Sequence, residues 1–264
     1  MREYGKYLVI SFVWGICFSL SAFTKTGTTY SLTDLVINMG LKGGNACNQV
    51  TMIVLLESMI PYYIFIMLFG TYIYRHFCWC SPYIFSRCQK RRKWLYKEMN
   101  KLFCYSFMYI LLMFIGRIVP FIILRNINID KTGIIMLLLL LAIMTIWIFS
   151  AALFCNFLSI WKSNIWGVMC VLIMQTVSVL SMIFIKSEEL NNIDILKLHL
   201  NYSAHLVFSW HSLGENNIEG MNQLGIALSF FESYLYLLII AIFIIIFGIH
   251  LIEKKDIILN IEEQ

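Results

Sequence analysis

Three charged residues within long apolar stretches are the side chains best placed to do chemistry in this sequence. Glu57, Arg117 and Glu232 each interrupt a stretch long enough to cross a bilayer. A charge at the middle of a membrane helix costs about 3 kcal/mol on insertion scales, so it needs a partner or a polar path. Counted from the outer ends at about 1.5 Å per residue, all three lie about 8–12 Å deep. The pattern predicts an ion pair joining three helices or a polar gate on a translocation path, and both interpretations stay open.

Three histidines recur at six-residue intervals in a polar stretch near the end of the chain. A metal or protease site would place histidines four residues apart beside an acid, whereas His199, His205 and His211 fall on different faces of a helix. We interpret them as polar loop residues at the membrane surface. The three cysteines within 78–88 lack paired CxxC spacing, and the glycines at 40–45 lack the GxxxxGK[ST] pattern, so neither a metal site nor a nucleotide site is predicted.

The apolar stretches are separated at one point by a densely basic segment, residues 75–101. It carries eight of the chain's twenty basic residues and one acid, Glu98. Positive charge beside a membrane span is retained in the cytoplasm, so this segment predicts the orientation of the chain. Ser81 followed by Pro82 is typical of a helix start, which predicts a short helix from Pro82 to about Arg92.

This short helix would combine an apolar-aromatic face with a basic cluster. Its members are Pro82, Tyr83, Ile84, Phe85, Arg87, Arg91 and Arg92. A polybasic stretch alone is typical of contact with anionic lipid. Lipid contact does not require a capped helix with an aromatic face, so the pattern favours docking into a groove of a cytoplasmic protein.

The composition predicts an all-α integral membrane protein. Of 264 residues, 60% are hydrophobic and 13% are charged, against about 25% charged in soluble domains. The mean hydropathy is +0.77, more apolar surface than one soluble core could bury. The net charge of +5 belongs to residues beside the apolar stretches, so nucleic acid is not an expected partner.

Six membrane spans are predicted within a single domain covering residues 1–264. They lie at about 7–24, 52–74, 102–124, 133–157, 165–185 and 224–252. Thirteen basic residues fall on one side of this arrangement and six on the other, which places both termini in the cytoplasm and the chain in the plasma membrane. A signal peptide is the rival interpretation of the first stretch. A short helix is expected at Leu32–Met39, and an outer helical segment between spans five and six.

The predicted topology and two short motifs resemble the permease subunits of type-2 ABC transporters. The shared features are six spans, inner termini, a short basic helix between spans two and three, and an outer segment between spans five and six. The run SRCQKRRKWLYKEMNKLF at 86–103 and the run KKDI at 254–257 are similar to those of Gram-positive members that export peptides or toxins or confer immunity to them. The chain lacks the long amphipathic helix that many members carry before span one.

The resemblance implies that the transporter is assembled from several chains with different roles. This chain would contain no catalytic residue and no cofactor, since ATP and Mg²⁺ would be bound by a separate cytoplasmic ATPase subunit. The helix from Pro82 to Arg92 would be the coupling helix that docks into that ATPase. A second permease copy, identical or related, would complete the path for an amphipathic, antimicrobial or toxin peptide. The alternatives are a six-span membrane enzyme and an immunity or accessory membrane protein that binds no ATPase.

Overall fold

The computed structural model describes residues 2–22, 30–40, 49–78, 91–124, 127–183, 191–212, 221 and 228–254. The helices are α1 Arg2–Ala22, α2 Leu32–Met39, α3 Gln49–Phe69, α4 72–78, α5 Arg91–Leu124, α6 Lys131–Trp161, α7 Asn164–Ile183, α8 Asn192–Leu200 and α9 Phe230–Lys254. Two turns of 3₁₀ helix follow α8, at Ala204–Leu206 and Phe208–Trp210. Two-residue strands pair in parallel, β1 Tyr30–Ser31 with β2 Ile127–Asn128, and β3 His211–Ser212 with β4 Leu228–Ser229.

Five helices in the described part of the chain are long and apolar enough to cross a membrane. They are Leu56–Cys78, which takes α3 and α4 together, and Arg91–Leu124, Lys131–Trp161, Asn164–Met182 and Phe230–Lys254. The prediction of an all-α membrane protein is thus supported, with five candidate spans in the described residues. The remaining predicted span, 7–24, corresponds to α1, Arg2–Ala22, in which the described residues Gly5–Ser19 form an apolar helix.

Helix α1 packs along α5 through a close contact between glycines. A Cβ atom at Gly15 would lie 2.3 Å from the carbonyl oxygen of Met113, and one at Gly116 would lie 2.4 Å from that of Phe12. Small residues allow membrane helices to approach this closely because no side chain separates the backbones. The contact therefore holds α1 against α5 in the bundle.

The two ends of the bundle differ in composition. One end, here called the capped end, is covered by α2, the strand pairs, α8 and the 3₁₀ turns, and these bury Val36, Leu206 and Phe208. The opposite end, here called the basic end, consists of α4, the start of α5 at 91–101, the α6–α7 turn and the last turn of α9. The orientation predicted from the sequence corresponds to the basic end facing the cytoplasm.

The predicted helix at Leu32–Met39 is confirmed as α2, with the bounds that its sequence indicated. Ser31 caps it, since its Oγ accepts a hydrogen bond from the Asp34 N–H at 3.1 Å. Asp130 caps α6 and also binds the hydroxyl and the N–H of Thr33. Partial burial alone would raise the pKa of Asp130, but hydrogen bonds from Thr132, Thr33 and the Gly133 N–H outweigh it and lower this pKa to about 2. Asp130 thus joins α2 to α6.

The helices differ from two of the predicted spans in where they are interrupted or begin. The second span, predicted at 52–74, is interrupted at Gly70–Thr71, after which α4 continues to Cys78. The helix that carries the third predicted span, 102–124, already includes Arg91. The reason is that the basic residues of 91–101 occupy one side of a helix whose other side buries apolar side chains, Leu95 and Met99.

The other boundaries shift by a few residues. Helix α6 covers Lys131–Trp161, beyond the predicted 133–157 at both ends, and α7 begins at Asn164 and is described as far as Ile183. The last span was predicted from 224, whereas helix α9 begins at Phe230, directly after the strand Leu228–Ser229. The outer helical segment predicted between the last two spans includes α8 and the 3₁₀ turns.

One buried asparagine holds the break between α3 and α4. The side-chain oxygen of Asn156 accepts from the N–H groups of Ile73 at 2.6 Å and Tyr74 at 3.2 Å, which are the unpaired donors of a helix start. Its amide donates to the carbonyl oxygens of Phe69 at 3.1 Å and Ala152 at 2.8 Å. A single side chain from α6 thus satisfies both sides of the interruption.

Replacing Asn156 with Leu should lower the free energy of unfolding by about 1–3 kcal/mol, because buried backbone groups lose their partners. The measurement is chemical unfolding of the purified chain in mixed micelles. Asn100→Leu is the matched control, since Asn100 is exposed on α5. An equal loss in both variants would contradict the role assigned to Asn156.

Candidate functional site

Arg117 lies buried at the capped end of α5, beneath the last turn of α2. Its Nη1 donates to the carbonyl oxygen of Met39 at 2.6 Å, and its guanidinium carbon lies 4.6 Å from the centre of the Phe18 ring. The residue is 7% exposed, and its Nε has no hydrogen-bond partner among the described residues. The C-terminal carbonyls of a helix carry partial negative charge, so α2 provides the counter-dipole for this cation.

The predicted ion pair of Arg117 with Glu57 or Glu232 is wrong for the described residues. The ion pairs there are His76–Glu98, Arg92–Glu253, Lys101–Glu98 and Lys197–Asp194. Glu57 is exposed on α3. Arg117 instead meets a backbone carbonyl and an aromatic ring, so its charge is offset by dipoles rather than by a carboxylate.

Glu232 has a local role at the start of α9. Its Oε2 accepts from the Ser229 N–H at 3.1 Å, while the Ser229 Oγ accepts from the Phe231 N–H at 3.2 Å. This reciprocal arrangement is a capping box, whose signature is a serine followed three residues later by glutamate. The signature SFFE at 229–232 was present in the sequence. Starting the span at 224 placed Glu232 inside it and concealed this role.

A double-mutant cycle should couple Arg117 to Phe18 and not to Glu57. Arg117→Met keeps the aliphatic stem and removes the charge, so combined with Phe18→Leu it should show a coupling energy of about 0.5–2 kcal/mol. Combined with Glu57→Gln the coupling should stay below about 0.5 kcal/mol, because those side chains share no contact. Unfolding free energies in micelles provide the measurement, and the reverse ranking would restore the ion-pair interpretation.

Glu98 forms a buried polar cluster at the basic end. It is 4% exposed, and its carboxylate accepts from the Tyr72 hydroxyl at 2.9 Å and the Lys101 ammonium at 2.7 Å. His76 Nδ1 lies 3.2 Å from the same carboxylate. Tyr72 and His76 belong to α4, so the single acid of the basic segment fastens α4 to α5. Its sequence position gave no sign of this burial.

The start of α5 is also joined to the end of α9. The Arg92 Nε donates to the Glu253 carboxylate, and the Arg91 Nη1 donates to the Ile252 carbonyl oxygen at 3.3 Å. Arg91 and Arg92, which the sequence assigned to the end of a short helix, belong to α5 in the described residues. The other members of that helix, Pro82, Tyr83, Ile84, Phe85 and Arg87, lie outside the described residues.

Glu98→Gln should lower the free energy of unfolding by about 1–3 kcal/mol, because an amide cannot accept the charge-assisted bonds that the buried carboxylate accepts. Glu57→Gln is the control at an exposed helical position and should stay within about 0.5 kcal/mol of the parent. Both values come from the same micellar unfolding assay. Equal small effects would show that the cluster does not stabilise the α4–α5 contact.

The capped end holds a polar bridge that the sequence interpretation missed. Ser233 Oγ of α9 lies 2.9 Å from His205 Nδ1 and 2.9 Å from His211 Nε2. All three side chains are buried, so the prediction of polar loop histidines at the surface is corrected for His205 and His211. The six-residue spacing excluded a shared face only for an α-helix, whereas these residues lie in and after 3₁₀ turns.

A groove of about 490 Å³ lies between α7 and the segment that includes α8. Met174 and Val177 contribute apolar surface, and Lys197 lies at the groove, paired with Asp194 at 2.9 Å. Asn201 connects its walls, because its side chain bonds the Ser178 hydroxyl and the Ser178 carbonyl oxygen, at 2.7 and 2.8 Å. The groove therefore offers an apolar surface beside one ion pair.

The chain was compared with protein-family models, curated proteins and solved structures, and none of the three comparisons found a significant match.

Proposed function

We propose that this chain is the membrane permease subunit of an ATP-driven exporter of the type-2 ABC class, working with a separate cytoplasmic ATPase. The basic end faces the cytoplasm in this proposal, and the membrane is the plasma membrane. A second permease copy lines the path, and the cargo is an amphipathic peptide of the antimicrobial or toxin kind.

The observation that supports this proposal most is the continuity of α5. At 34 residues it is about 51 Å long, against about 30 Å of bilayer hydrocarbon. The excess lies at 91–101, next to the segment that would dock on the ATPase. The stretch of α5 from Arg91 to Arg117 contains no proline, so it would transmit displacement along its axis, and movement of the docked segment would reach Arg117.

The cross-links at the basic end support the same mechanism. Glu98 fastens α5 to α4, and Arg92 fastens it to α9 through Glu253. A push on the start of α5 would therefore move three helices as a unit. The groove beside α7 has the apolar lining and the single ion pair that would accept an amphipathic peptide at the opposite end.

Purification of the tagged chain in mild detergent should recover a soluble ATPase in stoichiometric amount, with ATP hydrolysis in the purified complex. Replacing Tyr83, Ile84 and Phe85 with Ala should reduce that recovery by about tenfold or more, since each buried contact contributes on the order of 1 kcal/mol. Recovery of the chain alone would favour the membrane-enzyme or accessory alternatives.

The matched control removes three exposed apolar side chains from the other end, Ile193, Leu196 and Leu200 of α8. Their replacement with Ala should leave ATPase recovery unchanged. If the ATPase is recovered equally with the 83–85 variant, the ATPase partnership stands and the assignment of the coupling helix fails.

A further inference from the structure

The hydrogen-bond partners of His205 and His211 determine where each imidazole carries its proton. His205 Nε2 lies 3.0 Å from the His199 carbonyl oxygen, and His211 Nδ1 lies 3.0 Å from the Val207 carbonyl oxygen. A carbonyl oxygen only accepts, so each of these nitrogens must carry the hydrogen. A neutral imidazole has one N–H, so both nitrogens that face Ser233 present lone pairs.

The hydroxyl of Ser233 cannot satisfy two lone pairs. It has one hydrogen and donates it to one imidazole, which leaves its oxygen facing the lone pair of the other imidazole at 2.9 Å. One added proton removes this conflict. If one imidazole is protonated, it donates to Ser233 Oγ, Ser233 donates to the other imidazole, and all four contacts of the two rings become hydrogen bonds.

We propose that the His205–Ser233–His211 bridge is a binding site for a single proton, which fastens the 199–211 segment to α9 when it is bound. Uptake of a proton from the solvent forms one N–H bond on an imidazole, breaks no bond of the chain, and leaves the remaining hydrogens on their donors. A second proton is excluded, since two imidazolium ions would then both donate to one hydroxyl oxygen and repel each other across it.

The surroundings determine how strongly the proton is held. Burial lowers the pKa of each histidine to about 4, and the carbonyl oxygens of His199 and Val207 oppose that decrease. The proton shared through Ser233 adds a further hydrogen bond to the charged form. We therefore expect uptake at a midpoint between pH 4 and the usual histidine value of about 6.5.

Among the described residues, few charged or titratable groups surround the bridge. His199 of α8 acts on His205 and disfavours its charge, whereas Glu232 of α9 favours it. The Tyr236 ring of α9 stacks on His205 with centroids 4.4 Å apart. The stretch 133–161 of α6, which packs against the first 3₁₀ turn, contains no Asp, Glu, Lys, Arg or His. The ring of Phe230 stacks on His211 at 4.5 Å.

The test is nuclear magnetic resonance of the full chain with ¹⁵N-labelled histidine in micelles, titrated from pH 8 to pH 4. At high pH His211 should be the Nδ1–H tautomer and His205 the Nε2–H tautomer. On acidification both should change with one common midpoint and a combined uptake of one proton. Two independent midpoints, uptake of two protons, or no uptake down to pH 4 would overturn the proposal.

Ser233→Ala removes the shared hydroxyl and should lower the midpoint by about one pH unit or separate the two titrations. Ser106→Ala is the matched control, a buried helical serine that bonds the Leu102 carbonyl oxygen, and it should leave the common midpoint unchanged. Ser233→Thr keeps the hydroxyl and should restore the shared titration. An unshifted common midpoint in Ser233→Ala would show that the serine does not share the proton. The proton site requires no ATPase, so this result is independent of the proposed function.

Discussion

Hydrocarbon offers no hydrogen bonds, so every polar group within a membrane bundle must find its partner inside the protein. This constraint explains the most specific contacts of the structure. Asn156 satisfies both sides of a helix break, and Arg117 donates to the end of α2. Apolar packing alone would let the helices slide and rotate, whereas these directional bonds fix their relative heights. The polar residues are few, and they determine which arrangement of the helices is stable.

The sequence predicted elements whose signals are local. Helix α2 has an N-cap at Ser31 and apolar residues at helical spacing, and the structure confirms it. The long apolar stretches likewise correspond to helices, with boundaries shifted where strands or buried faces extend or shorten them. The role of Glu232 was equally local, but an early start assigned to the last span concealed its capping box.

Contacts between distant residues could not be predicted in the same way. The partner of Arg117 is the backbone carbonyl of Met39, 78 positions away. Every residue has a backbone carbonyl, so the sequence does not indicate which one binds a buried arginine. The similar depths of Glu57, Arg117 and Glu232 predicted a pair of opposite charges, although a helix end and an aromatic ring also stabilise a cation. His205 and His211 meet because 3₁₀ turns replace the α-helix on which their spacing was judged. The burial of Glu98 depends on α4, whose start after Gly70–Thr71 has no strong signal.

The glycine contact between α1 and α5 has a consequence for synthesis of the chain. Gly15 is made about 100 residues before Gly116, which at about 5–20 residues per second is a delay on the order of 5–20 s. During that interval α1 has been synthesised, but the α5 backbone that packs against Gly15 has not. The first helix must therefore wait at the membrane with its Gly15 face against lipid or the insertion machinery, and the bundle closes around it only when α5 arrives.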